Sequence, residues 1–159
     1  MNLVGSKLGI FLVLVAPHAA AGENLFFQIA SNPEARITKC YDSKLSDKDK
    51  LSLDGPILIR NKDIQEVELD STNWPGGSSD IRHAIIFRFK NQAISKKLEQ
   101  HTEKYKGKWI AFVLNKKIES AVCIPPNRVD MSNGFSLELS RGMSQGEAEA
   151  LLHETRRSL

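Results

Sequence analysis

Two runs rich in strand-forming residues, 108–114 (Lys-Trp-Ile-Ala-Phe-Val-Leu) and 117–124 (Lys-Ile-Glu-Ser-Ala-Val-Cys-Ile), are separated only by Asn115-Lys116. A two-residue gap between such runs predicts an antiparallel hairpin closed by a tight turn. Asn suits the left-handed backbone that this turn needs, whereas Lys fits the second position less well than Gly. A lone hairpin is marginal in water, so further strands and a packed face must come from elsewhere in the chain.

The rest of the sequence offers both. Residues 25–30 are strand formers that stop at the turn signal Ser31-Asn32-Pro33. Residues 36–41 alternate polar and apolar and read as a half-buried strand, followed by a polar connection of interleaved charges over 42–50, read as an exposed, solvated loop. Gly55-Pro56 opens a short apolar strand to Arg60, and Ile64, Val67 and Leu69 continue the pattern. Glu66, Glu68 and Asp70 alternate with them, which marks one solvated face. The segment Asn73-Trp74-Pro75-Gly76-Gly77-Ser78-Ser79 is a turn or loop. Residues 81–89 return to strand, with Ile85, Phe87 and Phe89 on one face and Ala84, Ile86 and Arg88 on the other, one side packed and one wet.

Asn91 caps a helix running to about Lys106, with Ile94, Leu98, His101 and Tyr105 forming its apolar stripe and Gly107 ending it. Pro125-Pro126 halts the sheet, and residues 135–139 form a last strand. Ser144 and Glu147 make a capping box for a final helix carrying Ala148, Leu151, Leu152 and Thr155. The expected fold is α+β: a mostly antiparallel or mixed sheet, two helices packed on one face, and a C-terminal half of ferredoxin-like type.

A length of 159 residues fits one core. Hydrophobic residues at 41% and charged residues at 26% exclude wholesale disorder and a multi-span membrane protein. The net charge of +3 is too small an excess to point to nucleic acid, and no nucleic-acid partner is expected.

The N-terminus reads as an address. Lys7 precedes the apolar run 8–16, which falls short of the about 20 residues a membrane span needs, and small residues follow. Ala19 and Ala21 place small side chains third and first before a cut after Ala21. The chain therefore divides into a signal peptide at 1–21, N-terminal strands and a polar loop at 22–54, and an α+β domain at 55–159. Export would deliver it to the periplasm or the medium, with no stable membrane span after cleavage. In an oxidising space Cys40 and Cys123 could bridge, closing a loop of 84 residues and stabilising the fold by about 4.5 kcal/mol on the chain-entropy argument. Two thiols buried on separate strands are the alternative. Neither Cys has a second Cys or a His at ligand spacing, so no metal is expected.

No residue pattern announces catalysis or a cofactor. His83, His101 and His153 are spread over a strand and two helices; His101 reads as a core or boundary residue, and the other two as surface or boundary residues. No Gly-rich phosphate loop occurs.

From Gly55 onward the order and spacing resemble a known family. Gly55-Pro56-Ile57-Leu58-Ile59, Lys62-Asp63-Ile64, Phe87-Arg88-Phe89, Thr102, Gly107-Lys108, Ile110 to Leu114, Ile118-Glu119-Ser120-Ala121, Gly134-Phe135, Glu147-Ala148 and Leu151 are similar to the head subdomain of the first periplasmic domain of SecD-type export proteins. The family usually has Asp-Gly where this chain has Asn115-Lys116, and a Pro where it has Val122. Its transmembrane helices are missing here. The resemblance implies a standalone head-like α+β domain, without the proton-driven export activity; with no catalytic or cofactor pattern in the residues, the expected role is a non-catalytic module that binds protein or peptide, such as exported or envelope polypeptides. Its partner would meet an exposed apolar or sheet-edge patch, for which Trp74 is the leading contact; Trp109 is a second candidate, with core packing as its alternative. From another class, the competing reading is a small envelope hydrolase with a His-based site.

Overall fold

The computed structural model describes residues 23–33, 50–73, 81–126, 134–138 and 143–159. The leader with Ala19 and Ala21, the strand expected at 36–41 with Cys40, nearly all of the polar connection, the Trp74 loop and Leu139 lie outside them. Seven strands and two helices follow in the order β1 (Leu25–Ala30), β2 (Ile57–Arg60), a single 3-10 turn (Asn61–Asp63), β3 (Ile64–Asn73), β4 (Ile81–Phe89), α1 (Gln92–Lys104), β5 (Trp109–Leu114), β6 (Lys117–Cys123), β7 (Phe135–Glu138) and α2 (Gln145–Arg157). The fold is α+β, and every strand pair is antiparallel. The strands divide between two sheets, ordered β2-β1-β5-β6 and β3-β4-β7.

The hairpin forms as its spacing requires. β5 and β6 pair up to Leu114 and Lys117, and the turn places Asn115 at φ 49° and Lys116 at φ 67°. Both values are left-handed, the conformation of the twist-matched two-residue turn. Lys116 bears the steric cost there, so Lys116→Gly should raise stability by about 1 kcal/mol, read as a higher urea midpoint. An unchanged or lower midpoint would count against this account of the turn.

The two sheets close over four phenylalanines. Phe27 of β1 meets Phe87 of β4 edge-on at 4.8 Å and Phe135 of β7 at 5.5 Å, and stacks on Phe112 of β5 at 5.2 Å. Leu25, Ile29, Ile110 and Leu114 extend this layer on one sheet, and Val67, Ile85 and Leu137 on the other. The far face of the first sheet is apolar too: Phe26, Ala30, Trp109, Ala111 and Val113 join Leu51 in a second cluster. This explains why β1 and β5 are buried at every position and read as continuous apolar runs. The one polar side chain in β1, Gln28, is satisfied because its Nε2 donates to Gly55 O at 2.8 Å. Gly55 lies so close to β1 that a Cβ there would stand 2.4 Å from Ile29 Cβ.

The helices have the predicted caps. Asn91 Oδ1 accepts from Ile94 N–H at 3.2 Å to start α1, which touches β2 and β4. Leu98 is buried in the core shared with Phe112 and Leu114, and Ile94 and Tyr105 pack against it. After Tyr105 the chain turns at Gly107, φ 81°. Ser144 and Glu147 form the capping box of α2. Hydrogen bonds from the Ser144 backbone N–H and hydroxyl, each 2.8 Å, hold the Glu147 carboxyl below the usual glutamate range. Ala148, Leu151 and Thr155 are the buried face of α2, which lies against β3 and β4. Among the described residues no helix is long and apolar enough to cross a membrane.

Candidate functional site

The candidate site is the outer edge of β3, the first strand of the β3-β4-β7 sheet, and its state follows from the ladder. Lys90 N–H donates to Asp63 O at 3.0 Å, while Arg88 pairs with Glu66 and Ile86 with Glu68. Backbone groups of even-numbered β4 residues therefore turn toward β3, and those of Glu66, Glu68, Asp70 and Thr72 turn back to meet them. The N–H and C=O groups of Val67, Leu69, Ser71 and Asn73 point away from the sheet.

Helix α2 guards the first of these. Arg156 near its end donates from Nε at 3.1 Å and Nη2 at 2.9 Å to Val67 O. Such a cap blunts an edge that would otherwise template another strand. Past Val67 the guard stops: among the described residues no hydrogen bond reaches the outward backbone groups of Leu69 or Ser71. Ser71 is exposed at this edge, and across the ribbon Ile81 is 57% exposed.

The polar face of the ribbon is as solvated as the alternation of Glu66, Glu68 and Asp70 implied. Arg88 crosses from β4 to bond Glu68 through Nη2 at 3.0 Å and Nε at 3.3 Å, with Glu66 4.0 Å away. Asp70 and Glu66 are exposed. On the opposite face, Ser71 Oγ and His83 Nδ1 are 2.8 Å apart, a directly paired couple at the rim of the core.

His83 lies on the buried side of the surface-or-boundary position expected from sequence. It is 8% exposed, because the core face of β4 runs on through Ile85 and Phe87, and Ser71 satisfies its ring nitrogen. His101 is a half-buried boundary residue stacked on Tyr105 with ring centres 6.3 Å apart. Burial first, then Lys97 and Lys104, lower its proton affinity. His153 is exposed on α2. The three histidines are thus not brought together. Trp109 is 8% exposed in the second cluster and unavailable as a partner contact. Trp74, in the loop that joins β3 to β4, lies outside the described residues. Cys123 on β6 is disulfide-bonded, while Cys40 is outside the described residues.

Among the described residues no group of three or more His, Cys, Asp or Glu side chains could hold a metal ion. A cavity of about 380 Å³ opens where β3 begins, β4 ends and α1 starts, lined by Gln65, Arg88, Phe89, Asn91, Gln92 and Ser95, with Gly134 beside them. A second depression, of about 520 Å³, lies along and just past α1 among Lys96, Glu99, Gln100, Glu103 and Lys106, where two cations face two carboxylates. Sequence reasoning missed Ser71, Arg156 and the cavity at the start of α1; alternation alone sets Ser71 on the face of Val67 and Leu69, and both its place at an open edge and its pairing with His83 required the register. No protein family, curated protein or solved structure matches the chain.

Proposed function

We propose that the protein is an exported, non-catalytic module that binds extended polypeptide by adding it as a further strand to β3. The observation that carries this reading is the open backbone of Leu69 and Ser71 beyond the Arg156 cap, flanked by exposed Ile81. Strand addition draws affinity from such main-chain groups and selectivity from alternate side chains. Trp74, which follows β3 in the sequence, stays the leading candidate for a further contact. The resemblance to the SecD-type periplasmic head supports the same class of ligand, exported or envelope polypeptide. A cleaved leader at 1–21 and a Cys40–Cys123 bridge belong to this reading.

The strand parity gives a sharp test. Ser71→Pro removes an outward N–H and puts a ring on the docking edge while leaving the β4 ladder whole. Thr72→Pro removes an inward one and should unsettle the sheet itself. On an array of tiled peptides from exported proteins, Ser71→Pro should weaken binding about tenfold or more. Ser71→Ala keeps the N–H and should bind like the unaltered protein. Equal binding by folded Ser71→Pro would exclude the β3 edge.

A second reading, a small envelope hydrolase, draws on the 2.8 Å contact of Ser71 with His83. Against it, no carboxylate among the described residues bonds His83, and the pair lines neither described depression. Loss of an ester-cleaving activity in Ser71→Ala with binding intact would favour the hydrolase.

A further inference from the structure

The cavity at the start of α1 holds a polar group that the fold itself does not use. Ser95 is 5% exposed and lines the cavity, yet among the described residues no hydrogen bond joins its hydroxyl to another group. Since no fully buried side-chain nitrogen or oxygen among the described residues lacks a partner, the exposed remainder of Ser95 must include Oγ, facing the cavity. A helical Ser usually relieves itself on the carbonyl one turn back. Here that bond is not made, and the hydroxyl is left for something else.

The surrounding groups narrow what that is. Gln65 and Gln92, both exposed, present amides with no bond among the described residues, each carrying donors and an acceptor, as Ser95 does. Asn91 spends its Oδ1 on the α1 cap and keeps its NH2. Arg88 has its charge balanced by Glu68, with Glu66 close by. Phe89, half-buried, adds an apolar ring to the wall. An oxyanion only accepts hydrogen bonds, so it would leave the amide oxygens unmatched and lie near two carboxylates. A hydroxyl both donates and accepts. From this balance we infer that the cavity binds a neutral polyhydroxyl ligand, a saccharide unit whose hydroxyls meet Ser95, Gln92 and Gln65 while its C–H face lies on Phe89. A volume of about 380 Å³ is within the range of small-ligand sites. The inference does not depend on the strand-addition reading.

The test is a titration of the full chain, followed by two-dimensional amide NMR, with three probes: glucose, cellotetraose and inorganic phosphate. Shifts confined to Gln65 and the segment from Asn91 to Ser95 with either sugar, and not with phosphate, are expected. Tighter binding of cellotetraose assigns the site to a length of polysaccharide, and equal binding assigns it to a free sugar. Ser95→Ala should weaken the sugar about tenfold. Gln92→Ala, at an exposed first-turn position, should weaken it too and keeps the test decisive if Ser95→Ala does not fold. No shift with either sugar, or shifts with phosphate alone, would overturn the assignment.

Discussion

Phe27→Ala should cost about 3–5 kcal/mol of folding stability, enough to remove most of the margin of an ordinary domain. Phe27 is 1% exposed and is the one ring that touches all three of its counterparts, Phe87, Phe112 and Phe135. Truncation therefore loses the buried ring surface and also opens a void between two sheets that cannot both collapse into it. The edge-on contacts add a smaller favourable share that no aliphatic replacement restores. Phe27→Leu should fall between the two. Urea unfolding of the three proteins measures this directly, and a loss below about 1 kcal/mol for Phe27→Ala would show that the sheets do not close over this ring.

The second large effect is expected at the helix. Leu98→Ala should cost about 2–5 kcal/mol, because Leu98 is 2% exposed at the centre of the buried stripe of α1. Its neighbour Lys97 is exposed, so Lys97→Ala should lie within about 0.5 kcal/mol of the unaltered protein. The contrast between adjacent positions tests the register of the helix rather than its presence. Similar costs at both positions would mean that α1 presents another face to the sheets.

Local signals accounted for most of the elements. Asn91, Gly107, Ser144 and Glu147 mark helix ends by chemistry that acts within one turn, and each does so in the fold. The two-residue spacing at Asn115-Lys116 specified a hairpin whose strands had no other way to meet. The division into two sheets was less legible. Strand order depends on contacts such as Phe27 with Phe87, sixty residues apart, and alternation within a strand records which side is buried without naming what buries it. His83 shows the same limit. A polar ring at the end of the apolar pattern reads as surface or boundary, but the buried face of β4 extends one pair further than that pattern because Ser71 supplies a hydrogen-bonding partner across the ladder.

The edge of β3 was half visible. Alternating Glu66, Glu68 and Asp70 identified a solvated face, yet whether a strand is central or at an edge is a property of the assembled sheet. Arg156 is more distant still, eighty-nine residues along the chain from the carbonyl it caps. That cap divides β3 into a protected part and an open part, and recognition is assigned to the open part.

Amide hydrogen exchange at single-residue resolution, in the free protein and with a peptide selected from the array, tests that assignment most directly. The outward N–H groups of Leu69 and Ser71 should exchange fast in the free protein and become protected on binding, while the inward N–H groups of Asp70 and Thr72 stay protected throughout. Protection that arises instead along β2 or β6, with Leu69 and Ser71 unchanged, would contradict it.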